Sequence, residues 1–568
     1  MNEYQTFYIQ KSSQSFSDTL VTYGLATVLQ DLLDRQGDEH IITIIDKGSY
    51  YELSLSVVLL PKTIVDESYT LMPRPALATA KTQLPDNIRI EVYEEVREKV
   101  KAYFDTPQEE REHVALPPKV WDVYRALNPA SITGYNSLMC NWYQARDDPE
   151  TLFILFDLYT DLPNDFDVAN QRWKALDKQH KWAIKTEATC QQLYNPDSGK
   201  GQNKTKADGL SIGNMKNFWL SEWLKAIGFY ESASTKQLRG TKDRKTLVLA
   251  PRKFTFAEHQ EVMNAFQEAM RYSESSIRFD IFAAIRYCKE LLRHVIEPAS
   301  RRMARFQSVN IKKHYVSGFH TAFYKNMGNS IATMNLSFIA LPDWIDIQSA
   351  KDVPIYQAIL DELEKVVRQF DESHSDDVTL LQHLRDFISG DDLKAFFRFS
   401  NAFAAFLIGK RERNQYAHPL TTDFIERIVM SIEKPLAPIL ESEGFQNIAY
   451  AIRQATVTAQ YRKKQNDNKY DVRYGLGQDL ARKARYPQDF IVALSDFLHK
   501  YNAENARVME TRPKPYRRSV QTSDIDQIVS LIDDYSSETI ANLLIAYGYA
   551  RVPRDTNFNE ENTEQENK

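Results

Sequence analysis

Between Ala451 and Arg518 the chain gathers fifteen Lys and Arg residues against seven Asp and Glu, although the whole protein carries a formal charge of −6. Arg462, Lys463, Lys464, Lys469, Arg473, Arg482, Lys483, Arg485, Arg517 and Arg518 carry this block, and Tyr461, Tyr470, Tyr474, Tyr486, Tyr501 and Tyr516 are interleaved with them. The combination suits nucleic acid: cations neutralise backbone phosphates, and aromatic rings give unpaired bases a stacking surface. The same composition also describes the solvated face of a helical bundle with tyrosines at its rim. A second set of cations, Lys200, Lys204 and Lys206, lies in the turn-forming run from Asn195 to Gly209. That run reads either as a basic finger reaching for phosphates or as a surface insertion. Arg301, Arg302, Arg305, Lys312, Lys313 and His314 form a third cluster, read as a solvated face.

Residues able to break bonds are sparser. Arg413 and His418, in Arg-Asn-Gln-Tyr-Ala-His, have the spacing of helical ribonucleases of the HEPN type, where paired motifs in a dimer act on the 2′-hydroxyl and phosphate of RNA. Pro419 follows at once, so His418 is expected where a helix stops. Gly209-Leu-Ser-Ile-Gly213 matches the pattern that places a nucleophilic serine, here Ser211, on a tight strand-to-helix turn. A polar lysine loop precedes it instead of a buried strand, so its glycines read as loop flexibility. Asp391 and Asp392, in Ser-Gly-Asp-Asp, fall between helical patterns and read as acids at a helix N-terminus. No His is followed directly by Asp, and HExxH and paired CxxC motifs are absent. Cys140, Cys190 and Cys288 are too scattered for a disulfide framework or a zinc site. The expectation is a chain without catalytic residues, metal site or cofactor.

The elements that must position these groups change character along the chain. The first sixty residues read strand, helix, strand, strand, with Ser17 as helix N-cap and Val21, Leu25, Val28, Leu29 and Leu32 as the apolar stripe. Helical patterns follow from Glu91 to Ala126, then an aromatic, irregular stretch from Ser131 to Asn164. A helix is expected over Val168–Leu193, with His180 a core histidine, and another over Met215–Phe229. After a brief strand at Leu247–Leu249, the chain from Ala257 on reads as almost wholly helical. In the helix after Ile448, Ile452, Ala455 and Ala459 share one face while Arg453, Gln460 and Lys464 share another. The fold class is therefore an α+β N-terminal part, residues 1–350, followed by a mainly α C-terminal helical bundle with a basic face, residues 351–550. Residues 551–568 form an acidic tail expected to be disordered. No run approaches the roughly 18 apolar residues of a membrane span, and no secretory signal opens the chain, so a cytoplasmic setting without membrane contact is expected.

Several pieces together resemble a known family. They are Tyr23-Gly-Leu-Ala26, Ile45-Asp-Lys-Gly-Ser-Tyr50, Asn217-Phe-Trp-Leu220 running into Trp223-Leu-Lys-Ala-Ile-Gly228, and Tyr470-Asp-Val-Arg-Tyr-Gly-Leu-Gly-Gln-Asp-Leu480. Phe490-Ile-Val-Ala-Leu-Ser-Asp-Phe497, Tyr501-Asn-Ala-Glu-Asn505 and Ala546-Tyr-Gly-Tyr549 complete the set. With them the chain resembles the large subunit of type I CRISPR surveillance complexes (Cascade), nearest the I-A/I-B-like branch. The resemblance implies a non-catalytic subunit with guide RNA, target DNA, and backbone and handle-binding subunits as partners. Its N-terminal part would sit near the 5′ handle of the guide and read the protospacer-adjacent motif in duplex DNA. Its C-terminal bundle would hold opened strands, and a helicase-nuclease or transposition proteins would be recruited for downstream action.

Overall fold

The computed structural model of the protein describes residues 4–13, 15–78, 84–86, 88, 90–107, 109–110, 127, 129–198, 215–238, 241–270, 277–296, 309–310, 315–328, 331–390, 392–511 and 517–553. The chain divides into two compact units, Met1–Leu341 and Pro342–Lys568. The first mixes strands with helices, and the second is almost entirely packed helices, the fold class expected from the sequence pattern. Lys200, Lys204, Lys206, Ser211, Asp391, Tyr516, the cluster from Arg301 to His314 and the acidic residues after Arg554 lie outside the described residues.

The first unit opens as expected, with strand Tyr4–Gln10, helix Ser17–Gln36 and strands Ile42–Asp46 and Tyr50–Leu59. Gly48 turns the hairpin at a φ of 89°, a conformation a side chain resists, and its N–H donates to Asp46 Oδ1 at 2.8 Å. The strands form an antiparallel sheet in the order Tyr4–Gln10, Tyr50–Leu59, Ile42–Asp46, Lys253–Thr255. Val21, Leu25, Val28, Leu29 and Leu32 are buried. Ser17 is not the N-cap. Phe16 holds that position, and Ser17 Oγ donates to the Tyr194 carbonyl at 2.8 Å instead.

Helix Trp219–Ser232 crosses the opening helix backbone to backbone. A Cβ on Gly24 would lie 2.0 Å from Leu224 O, and one on Gly228 would lie 1.9 Å from Leu20 O. Only glycine permits this approach. On its other side the helix stacks Trp223 on Trp142, ring centroids 4.1 Å apart, and sets Trp219 against the Trp173 ring at 4.8 Å. Trp142 belongs to helix Pro129–Ala145, which is followed by helix Glu150–Thr160 where an irregular stretch was expected. Tyr135, Leu138, Met139 and Trp142 are all buried, so the helical spacing was present beneath the aromatic composition.

Three further expectations are corrected. The helix expected over Val168–Leu193 is Phe166–His180, because Lys181 and Ala183 take left-handed φ values of 57° and 59° and stop it. His180 is exposed and bonded to Asp148 at 2.6 Å, so it is no core histidine. After helices Phe256–Ala269 and Ile277–Ile296, the hairpin Val316–Asn326 and Ile331–Ala340 interrupts the expected helices. It joins Arg244–Pro251 and Ala233–Gln237 in a second antiparallel sheet. Register shifts at Val316/Gly318 and Phe323/Tyr324 break the two-residue alternation by which such strands are recognised.

Gly228→Ala is expected to lower the unfolding free energy by about 3 kcal/mol, since the added carbon meets backbone that cannot turn aside. Urea titration followed by tryptophan fluorescence measures this. A loss near zero would mean the two helices can separate at no cost.

Candidate nucleic-acid interface

In the second unit, helix Glu443–Arg453 packs on helix Ser537–Tyr549 at Gly548, where an added Cβ would come 2.4 Å from Ile452 Cγ2. Arg453 reaches across the contact. Its Nε and Nη2 donate to the Ala550 and Tyr547 carbonyls at 2.7 and 2.5 Å, a cation on the negative end of a helix dipole. Burial lowers its pKa to about 10. A five-residue π-turn, Gln454–Thr458, follows and leads into the short helix Ala459–Lys464. The extra residue of the π-turn rotates what comes after it. Gln460, expected on the outward face with Lys464, is buried, and its Nε2 donates to the Ile408 carbonyl at 3.0 Å.

The basic block then divides into cations that build the fold and cations that face solvent. Glu504 stands on helix Pro487–Thr511 and is buried. Its Oε1 accepts Arg473 Nη2 at 2.6 Å and its Oε2 accepts Arg517 Nη2 at 2.6 Å. Arg517 is fully buried, with Nε donating to Asn505 Oδ1 at 2.5 Å. Its guanidinium lies 3.6 Å from the centroid of Tyr470 and 4.4 Å from that of Tyr501. The segment after Arg517 is stitched to the same helix by Tyr501 Oη to Arg518 O at 2.8 Å and by paired bonds between Asn502 and Val520. Arg473 N also donates to the Ala455 carbonyl of the π-turn at 2.8 Å. Arg517 therefore offers nothing to a ligand at the surface, and Arg473 is committed to its carboxylate.

Facing solvent are Lys463, Lys464, Arg482, Arg485 and Arg518, with Arg462, Lys469 and Lys483 half-buried. Tyr461, Tyr474 and Tyr486 are exposed among them, whereas Tyr470 and Tyr501 are buried. Lys463 Nζ lies 5.8 Å from the Tyr474 ring centroid, linking the end of helix Ala459–Lys464 to the entry of helix Leu476–Lys483. Arg485 lies 5.7 Å from Tyr486, and Arg518 lies 4.7 Å from Tyr450. Arg482 pairs with Asp479 at 2.6 Å and Lys469 with Asp467 at 3.5 Å. Lys463, Lys464, Lys483 and Arg485 have no acidic partner among the described residues. Gly475, at a φ of 77°, and Gly477, whose N–H donates to Tyr549 Oη at 3.1 Å, seat helix Leu476–Lys483 against the bundle.

Helix Leu393–Glu412 ends before Arg413, so both Arg413 and His418 lie beyond it instead of His418 marking its end. Arg413 is exposed. The His418 backbone is clamped by Gln369, which accepts its N–H at 2.5 Å and donates to its carbonyl at 3.1 Å. Its ring faces Glu362 at 3.9 Å, and burial lowers its pKa. No hydrogen bond or ion pair joins the two residues among those described. Asp392 caps the same helix, accepting from Lys394 N at 2.8 Å, as expected for an N-terminal acid.

The sequence pattern does not bring out Arg411 and Arg551, which meet Arg453 around a cavity of about 700 Å³ in this unit. They are 140 positions apart, and no local spacing relates them. Among the described residues no helix is long and apolar enough to cross a membrane. Neither the known protein-family models nor the curated proteins provide a match to this chain.

Glu504→Gln, which leaves two guanidinium groups facing a neutral amide, is expected to cost about 3 kcal/mol. Arg482→Ala, at an exposed pair, is expected to change stability by less than about 0.5 kcal/mol. Denaturant unfolding of the two variants checks the division between structural and surface cations. Equal effects would erase it.

Proposed function

We propose that the helical unit holds a nucleic-acid strand along the surface carrying Lys463, Lys464, Tyr474, Arg482, Lys483, Arg485 and Tyr486. The observation that supports this most directly is the pairing of exposed rings with cations that have no acidic partner among the described residues, Lys463 with Tyr474 and Arg485 with Tyr486. The cations meet phosphates, and the ring faces take unpaired bases without regard to sequence. Arg473 and Arg517 serve by shaping this surface from within.

The family resemblance extends this to a whole-protein role. The chain would be the non-catalytic large subunit of a type I CRISPR surveillance complex. It would bind guide RNA and target DNA beside the backbone and handle-binding subunits, read the protospacer-adjacent motif in the duplex and stabilise the opened strands. Sequence selection would rest on guide pairing, and a recruited helicase-nuclease or transposition machinery would act downstream. The Lys200–Lys206 loop is the candidate duplex probe in this scheme.

Fluorescence anisotropy with a labelled single-stranded DNA tests the strand-holding surface. With about four phosphates neutralised, affinity should fall roughly 50-fold between 50 and 200 mM salt. Combining Lys463→Glu with Arg482→Glu should weaken binding at least tenfold and flatten the salt slope by about 1.4. Unchanged binding in the double variant would remove this surface from the function. RNA cleavage lost in His418→Ala would replace it with the ribonuclease alternative built on Arg413 and His418.

A further inference from the structure

The cavity of about 700 Å³ is walled by Arg411, Arg453, Arg551, Tyr450, Tyr461 and the π-turn residue Gln454, with apolar and small residues beside them and no carboxylate among the described lining residues. Guanidinium groups withdrawn from water are normally paired with an acid, because an unpaired buried charge is costly. Here the compensation is incomplete. Arg453 spends Nε and Nη2 on helix carbonyls, which neutralises the negative end of helix Ser537–Tyr549 where it borders the cavity. Among the described residues the Arg411 side chain makes one hydrogen bond, 3.4 Å to the Val457 carbonyl, and burial lowers its pKa. Arg551 is pinned through its backbone, donating to Leu420 O at 2.8 Å and accepting from Thr422 N at 3.0 Å. Its exposed side chain makes no ion pair among the described residues.

From these groups we infer that the cavity is a seat for one nucleotide, with its phosphate among Arg411, Arg453 and Arg551 and its base against the tyrosine side. Three guanidinium groups suit the several oxygens of a phosphate. The volume falls in the range of small-molecule sites and exceeds what an inorganic anion needs. Tyr461, 59% exposed, presents a ring, and Gln454 Oε1 is buried without a hydrogen-bond partner, an acceptor suited to a donor on a base or sugar. The π-turn that carries Gln454 is itself a distortion that recurs at ligand sites. The seat borders the proposed strand-holding surface through helix Ala459–Lys464, which carries Tyr461 together with Lys463 and Lys464. The nucleotide can be free or the 5′-phosphorylated end of a strand, since both present the same phosphate and base.

Calorimetric titration of the full chain with AMP, adenosine, and a tetra-adenylate with and without a 5′-phosphate tests this. The expected result is binding of a phosphate-bearing probe and at least tenfold weaker binding of its phosphate-free counterpart. Arg551→Gln, which spares the backbone bridge, and Arg411→Gln should each weaken the phosphate-bearing probe at least tenfold. Tighter binding of the phosphorylated tetramer than of AMP would identify a strand end as the source, and the reverse would identify a free nucleotide. Absence of binding by both phosphate-bearing probes, or unchanged affinity in both variants, would overturn the inference.

Discussion

One buried carboxylate organises the basic block of the helical unit. Glu504 takes an arginine on each oxygen, and those arginines come from opposite sides of helix Pro487–Thr511 in sequence. Removing an acid from water is expensive, and only well-placed charged donors make the arrangement stable. Glu504 meets this condition with Arg473 and Arg517, while Asn505 and the rings of Tyr470 and Tyr501 complete the surroundings of Arg517. Through it the connector that carries Tyr470 to Gly475 and the segment entering helix Thr522–Asp534 are both fixed to one helix. The solvent-facing cations on either side of that connector inherit its rigidity.

This separates three uses of positive charge within one unit. Arg473 and Arg517 are internal supports. Lys463, Lys464, Lys483 and Arg485 stand in or just beyond the last turns of short helices, where the dipole favours cations, and all but the half-buried Lys483 face solvent. Arg411, Arg453 and Arg551 surround a cavity with no acid among its described lining residues. Net composition merges all three, whereas burial and partners tell them apart. Several of the pieces behind the family resemblance turn out to be packing nodes: Gly24 meets Gly228's helix, Gly477 meets Tyr549, and Tyr501 to Asn505 form the arginine cage.

The opening strand–helix–strand–strand was legible because hydrophobic period and turn chemistry agree there, as at Gly48. The C-terminal helices were legible for the same reason, and Phe490, Leu494, Phe497, Leu498 and Tyr501 are all buried as their spacing requires. The hairpin from Val316 to Ala340 was hidden by bulges that break its alternation, and helix Pro129–Ala145 by aromatic residues that masked a helical spacing. The inward turn of Gln460 depended on a π-turn, which a regular period cannot anticipate. In the basic block, the density of cations was visible but the burial of Arg517 was not, because its partners Glu504 and Asn505 lie 13 and 12 positions away, beyond any helical spacing. Arg411 and Arg551 become neighbours only through tertiary structure.

As proposed, this chain would work as a nucleic-acid-holding subunit of an RNA-guided complex. The most direct test is to express the protein with its neighbouring genes, isolate it by affinity, and sequence any bound RNA. The expected result is one short RNA species with a constant 5′ end, recovered together with several copies of a backbone protein. Recovery of the chain alone, without RNA, would contradict it.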